Sequence, residues 1–76
     1  MRSQYQYGTI QLIKELIEML ESAGFKDRGG KRSHRNYEHP SGFNITISGK
    51  LISDAKRYQE RDVRKAIKRV LSEEKK

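Results

Sequence analysis

The segment SHRNYEHPSGFNITIS, residues 33–48, decides the fold of this 76-residue chain. In its second half Phe43, Ile45 and Ile47 alternate with polar residues, which is the pattern of a strand with one face on a core and the other in water. The Pro40-Ser41-Gly42 run before it is a turn signal. The segment therefore predicts two antiparallel strands joined by a turn.

Upstream, apolar residues recur at helical spacing over residues 9–23, which predicts an amphipathic helix. Thr9 is a suitable N-cap, and Gly24 is a suitable left-handed stop. Phe25 then returns to the core, and the Gly29-Gly30 turn separates a first short strand from the two that follow. The upstream sequence thus adds a helix and the first strand of a three-stranded antiparallel meander.

Downstream, a polar connection runs to Gln59, with four expected anchors on the core: Leu51, Ile52, Ala55 and Tyr58. A second apolar stripe predicts a helix over residues 60–72. Its members are Val63, Ala66, Ile67, Val70 and Leu71.

The predicted fold class is α+β, in the order α-β-β-β-α. Both helices are expected on one face of the three-stranded antiparallel sheet, which leaves the other face open. We expect a flexible N-terminal segment over residues 1–8, a single domain over 9–72 and a C-terminal tail over 73–76.

The amino-acid composition limits the functional classes to which this chain can belong. Lys and Arg number 17 against 10 Asp and Glu, so the formal net charge is +7 and the pI about 9.9. That balance favours polyanionic partners, although an ordinary basic surface explains a charge excess equally well. The absence of cysteine excludes disulfides and thiolate metal sites. The N-terminus lacks the apolar run of a signal peptide or membrane span, so we expect a cytoplasmic protein without membrane contact.

Strand parity places one histidine on the open face. Successive side chains of a strand point to opposite faces, and Tyr37 is the natural core residue of its segment. Arg35 and His39 then share its side, whereas His34 faces the open side. We expect His34 to be solvent-exposed, with Asn36 and Glu38 beside it, Asn44 and Thr46 across the sheet, and Lys26, Arg28, Lys31 and Arg32 nearby.

An exposed imidazole among cations suits RNA cleavage without a metal. That reaction requires a base for the 2′-hydroxyl proton, an acid for the leaving oxygen and positive charge for the phosphorane. His34 is therefore the candidate catalytic residue, with a surface histidine of no function as the alternative. The candidate RNA- or phosphate-binding residues are Lys26, Arg28, Lys31, Arg32, Ser33 and Asn36. No metal or other cofactor is expected, because His34 and His39 point apart and no further His or Cys could complete a site.

Two parts of this sequence resemble the signature of a known protein family. Gly24-Phe25 together with GKRSHRNYEHP, residues 30–40, resembles the signature of the HicA family, and the order of elements agrees. HicA proteins are mRNA interferase toxins of type II toxin-antitoxin systems, with a fold similar to a dsRNA-binding domain, and a HicB antitoxin neutralises them. The resemblance covers roughly residues 9–72 and implies that His34 is the catalytic histidine, that mRNA is the substrate and that a HicB-like antitoxin is the partner. One departure is Arg32, because the family usually has Gly immediately before the Ser.

Two other functional classes remain open. A non-catalytic dsRNA-binding module is the main alternative, since the same order of elements serves both. An interaction domain with no nucleic-acid role is the third class, and it predicts little salt-sensitive RNA affinity. The cations of the second helix fit either RNA contact or a merely solvated face: Arg61, Arg64, Lys65, Lys68 and Arg69.

Overall fold

The computed structural model describes residues 11–74 and has an α+β fold in the predicted order α-β-β-β-α. Its elements are α1 (Ile13–Ser22), β1 (Lys26–Asp27), β2 (His34–Glu38), β3 (Asn44–Ser48) and α2 (Arg57–Glu74). The predicted cap Thr9 and the predicted flexible segment 1–8 lie outside the described residues. No helix within residues 11–74 is long and apolar enough to cross a membrane.

The three strands form one antiparallel meander in the order β1-β2-β3, as predicted. A three-residue loop of Pro40, Ser41 and Gly42 joins β2 to β3. The Gly42 N–H donates to the carbonyl of His39, and the His39 N–H donates to that of Phe43, both over 2.8 Å. Gly42 has φ +105°, which is the left-handed position that this kind of hairpin loop requires. The loop sets the register, which pairs His34 with Ser48.

Strand β1 is short, but its pairing with β2 continues into the following turn. The Arg28 N–H donates to the Asn36 carbonyl at 2.7 Å, and the Asn36 N–H donates to the Gly29 carbonyl at 3.0 Å. Two residues therefore face one across the ladder, as in a β-bulge. The bulge ends regular pairing before the chain turns toward β2.

Both helices begin with the same side-chain device. In α1 the Glu15 carboxylate accepts the N–H of Leu12 at 2.7 Å, and in α2 the Gln59 amide oxygen accepts the N–H of Lys56 at 2.8 Å. Each acceptor stands three residues after the cap, as in one half of a capping box. Because of these caps, α1 begins four residues after the predicted start at Thr9, and α2 begins three residues before the predicted start.

Helix α1 ends where the sequence predicts. Gly24 has φ +101°, and its N–H donates to the carbonyl of Glu21 at 3.0 Å. The N–H of Phe25 reaches back to the carbonyl of Leu20 at 3.0 Å. These two bonds form a Schellman motif, which satisfies carbonyls that the helix end would otherwise leave without partners.

The core lies between the two helices and one face of the sheet. Its buried members are Ile13, Leu16, Ile17, Leu20, Phe25, Tyr37, Ile47, Ala55, Val63 and Val70, with Phe43, Ile45, Ala66 and Ile67 partly buried against them. The predicted stripe of α2 thus faces the core except at Leu71. That residue lies at the edge of the stripe and is 48% exposed.

Backbone hydrogen bonds, rather than apolar anchors, hold the connection between β3 and α2. The first N–H groups of a helix have no partner within it, and here Ile13 donates to the carbonyl of Ser53 and Lys14 to that of Leu51. Of the four predicted anchors only Ala55 is buried, and the prediction is wrong for Leu51, Ile52 and Tyr58, which are exposed. Once the backbone is tied to α1, the connection is held without burying these side chains.

Candidate active site

The face of the sheet that points away from the core carries a polar pair at each of three successive positions. These cross-strand pairs are His34 with Ser48, Asn36 with Thr46, and Glu38 with Asn44. His34 is exposed, as parity predicts. Its expected neighbour Thr46 instead faces Asn36 and donates to the amide oxygen of Asn36 at 2.7 Å. Parity assigns a residue to one face of the sheet but does not say which residue of the next strand lies opposite it. The register of β2 and β3 does, and it places Thr46 opposite Asn36 and Ser48 opposite His34.

His34 is held at two points. Its Nδ1 lies 2.8 Å from the hydroxyl oxygen of Ser48. Its backbone N–H donates to the carbonyl of Lys31 at 2.8 Å, closing a tight turn at the start of β2. Within the described part of the chain Nε2 has no hydrogen-bond partner. The imidazole therefore has one nitrogen engaged by the protein and one available to a bound molecule.

The turn before His34 has unusual backbone geometry. Arg32 has φ +55°, in the left-handed region that residues with a Cβ rarely adopt. The backbone of Gly30 lies so close to β2 that an added Cβ would overlap the carbonyl oxygen of His34. The turn is also tied to β1, since the N–H of Gly29 donates to the Asp27 carboxylate at 2.7 Å. The segment that positions His34 is thus tightly constrained.

The structure divides the predicted cations into two groups. Lys31 and Arg32 are exposed and belong to the turn that leads into His34. Lys26 instead pairs across the sheet with Glu38, and the Arg28 guanidinium lies 3.2 Å from the Glu38 carboxylate. Glu38 is four residues from His34 along the strand, a distance of about 13 Å. The Glu38 end therefore combines opposite charges, whereas the His34 end has cations close to it in sequence.

The remaining predicted contact residues differ in accessibility. Asn36 is exposed beside His34, but its amide oxygen is occupied by Thr46. Ser33 is half-buried, and its carbonyl accepts the N–H of Gly49 at 3.1 Å. Ser33 therefore links the turn to the end of β3 through its backbone.

Sequence reasoning missed three residues around the histidine. Ser48 contacts the imidazole directly. Arg35 is half-buried and donates to the carbonyl of Gly49 at 2.9 Å and more weakly to that of Ser33 at 3.4 Å. Gln59 is 6% exposed, and its amide nitrogen donates to the carbonyl of Ser48 at 2.9 Å. A signal for Gln59 was present, since it precedes Val63 by four residues and so continues the buried stripe of α2.

His39 has a structural role. It is 6% exposed, and its Nδ1 accepts the N–H of Ser41 at 3.0 Å and lies 2.9 Å from the Ser41 hydroxyl. Its ring contacts that of Phe25, with the centroids 5.3 Å apart. His39 therefore stabilises the hairpin loop from the core side, as its parity predicts.

Two further properties bear on the site: possible metal binding and similarity to known proteins. Among residues 11–74 there is no group of three or more His, Asp or Glu side chains that could hold a metal ion. In comparisons with known proteins, no family model and no curated sequence matches the chain. The candidate site is therefore defined by its own geometry: an exposed imidazole, its serine partner and the basic turn before it.

Proposed function

We propose that this protein is a metal-independent mRNA endoribonuclease of the HicA type, the toxin of a cytoplasmic type II toxin-antitoxin pair. One observation supports it above the others. The exposed imidazole of His34 stands on a sheet face that no described residue covers, with a hydroxyl 2.8 Å from Nδ1 and no partner among the described residues for its other nitrogen. The HicA resemblance of residues 30–40 points to the same side chain.

In the proposed reaction His34 exchanges protons with the ribose and the leaving group. Nε2 accepts the proton of a 2′-hydroxyl as the 2′-oxygen attacks the adjacent phosphorus. The bond from phosphorus to the 5′-oxygen breaks, and the imidazolium returns a proton to that oxygen. The products are a 2′,3′-cyclic phosphate and a 5′-hydroxyl end. A positioned acid or base of this kind typically contributes ~10²–10⁴ in rate.

Positive charge near the imidazole stabilises the phosphorane. Lys31 and Arg32 supply it, because both are exposed and lie in the turn that ends at His34. The carboxylate of Glu38, about 13 Å along the strand, is too distant to repel the reacting phosphate strongly. Lys26 and Arg28 contact the RNA further along the strand, and Asn36 lies between the two groups.

A HicB-like antitoxin would neutralise this site by covering the open face. The described residues of that face combine polar side chains with cations, so an acidic protein surface would be complementary to it. Such a partner would block His34 from RNA and pair with Lys31 and Arg32.

The test is cleavage of mRNA by the purified protein with a chelator present. His34→Ala should lower cleavage at least 100-fold and leave the melting temperature nearly unchanged, because the ring is exposed. Asn44→Ala, on the same face but at the Glu38 end, is the matched control and should cleave normally. Full cleavage by a folded His34→Ala protein would refute the proposal.

A non-catalytic dsRNA-binding module is the second candidate, favoured by the cations of α2. Arg61, Arg64, Lys65 and Lys68 are all exposed. Arg69 is not equally free for RNA, because its guanidinium lies 5.1 Å from the centre of the Phe43 ring. Salt-sensitive RNA binding without cleavage would favour this module, whereas the absence of salt-sensitive affinity would favour a protein-interaction domain.

A further inference from the structure

We infer that Ser48 is a positioning residue that orients the His34 imidazole, and that the buried Gln59 holds Ser48 in place. This inference rests on the proposed function, since it concerns the histidine proposed to cleave RNA. Its physical basis, the orientation of one imidazole, can be measured without RNA.

The side chain of Ser48 contacts the imidazole of His34 directly. An exposed histidine on a strand has two rotatable side-chain bonds and, in its neutral form, two tautomers. The Ser48 hydroxyl lies 2.8 Å from Nδ1 and restricts rotation about both bonds. A hydroxyl can either donate a hydrogen bond to Nδ1 or accept one from it, so the contact is compatible with both tautomers and acts on the orientation of the ring. Ser48 therefore holds the ring at Nδ1 and leaves Nε2 for a bound molecule.

Gln59 in turn holds the backbone of Ser48. Gln59 is 6% exposed, and both ends of its amide have partners. Its oxygen accepts the N–H of Lys56 at 2.8 Å, and its nitrogen donates to the carbonyl of Ser48 at 2.9 Å. A buried amide that loses a partner is costly, so this bridge ties the end of β3 to the first turn of α2. The backbone of Ser48, from which the hydroxyl projects toward His34, is thereby fixed relative to the core.

Further hydrogen bonds hold together the strand ends that carry His34 and Ser48. The residues flanking His34 are joined to the residue after Ser48: the Gly49 N–H donates to the carbonyl of Ser33, and Arg35 donates to the carbonyl of Gly49. Neither strand end can shift without breaking these bonds. The histidine and its partner are therefore preorganised before any RNA binds, which is the condition under which orientation accelerates a reaction.

The experiment compares Ser48→Ala and Ser48→Thr with Thr46→Ala. Thr46 is the matched control because it lies on the same strand and face but bonds Asn36. Two quantities are measured: kcat and KM for RNA cleavage, and the ¹⁵N chemical shifts of the two ring nitrogens of His34 without RNA. These shifts report the tautomer and the hydrogen bonding of the ring.

Ser48→Ala should lower kcat about tenfold, the loss of one oriented hydrogen bond, with KM unchanged. Its His34 nitrogen shifts should move toward those of a free imidazole. Ser48→Thr should restore both quantities, and Thr46→Ala should leave kcat and the His34 shifts unchanged. Gln59→Met, which keeps the side-chain length without the amide, should also move the His34 shifts.

Wild-type kcat together with unchanged His34 shifts in Ser48→Ala would overturn the inference. If Gln59→Met leaves the shifts of His34 unaltered, the supporting role of Gln59 is wrong. If the wild-type protein does not cleave RNA, the proposed function fails, and the ring shifts alone then decide whether Ser48 orients His34. The two failures are thus distinguishable.

Discussion

Replacing Arg32 with glycine and, in parallel, with alanine separates the effect of its backbone from that of its charge. Arg32 is the one non-glycine residue among those described with a positive φ, at +55°. Holding a residue with a Cβ in this region costs roughly 1–2 kcal/mol. Alanine keeps that cost, whereas glycine removes it but loses roughly 0.5–1 kcal/mol more backbone entropy on folding. Taking the midpoints, Arg32→Gly should be more stable than Arg32→Ala by about 0.75 kcal/mol.

Thermal and urea unfolding of the two variants measure this difference. For a domain of this size it corresponds to roughly 3–6 °C in Tm. A Tm for Arg32→Ala equal to or above that of Arg32→Gly would refute the strain argument. RNA cleavage by the same variants addresses the charge. Both lack the guanidinium and should lose activity equally if it binds phosphate, whereas higher activity in Arg32→Gly alone would show that the backbone is what limits cleavage.

Three further predictions concern the loop, the core tyrosine and the ion pair. Gly30→Ala forces a Cβ against the His34 carbonyl, so the free energy of unfolding should fall by about 1–3 kcal/mol, and an unchanged urea midpoint would contradict this. Burial raises the pKa of Tyr37, with further contributions from Asp27 and Glu21 and opposition from Arg35. Because the unfolded chain then ionises more readily, stability should decline above pH 10.0, the ordinary value. Tyr37→Phe should flatten that decline in urea titrations, and equally steep declines in both proteins would show that another group is responsible. Glu38→Gln removes one negative charge from a formal net charge of +7 and releases Arg28. Because Arg28 no longer shares its charge with Glu38, the log-log slope of RNA affinity against salt should steepen by up to about one, with a stability change below about 1 kcal/mol; an unaltered slope would mean that the ion pair does not weaken the contact of Arg28 with RNA.

Features with a fixed local period were predictable from the sequence. The twofold alternation of β2 placed Tyr37 on the core side of the sheet and His34 on the open face, since this alternation does not depend on which strand is the neighbour. The stop of α1 at Gly24 was predictable for a similar reason. A left-handed residue followed by a return to the core has a local sequence signature.

Features that depend on register or on backbone partners were not predictable. Ser48 was recognised as a residue of the polar face, but its position opposite His34 follows from the hairpin loop. Leu51 and Ile52 were predicted as anchors because they are apolar, yet the backbone bonds to α1 made their burial unnecessary. Gln59 was assigned only as the end of a polar connection, and its burial is possible because both ends of its amide have partners.

Because the imidazole of His34 lies on the surface, a variant that lacks it can fold and coexist with the intact protein. His34 contributes nothing to the buried cluster, so a molecule altered only at this ring would still fold and, on the proposed function, still hold its transcript. Such a molecule would compete with intact copies and protect the transcript it occupies. On the proposed function, a single codon change would thereby convert a ribonuclease into an inhibitor of the intact protein.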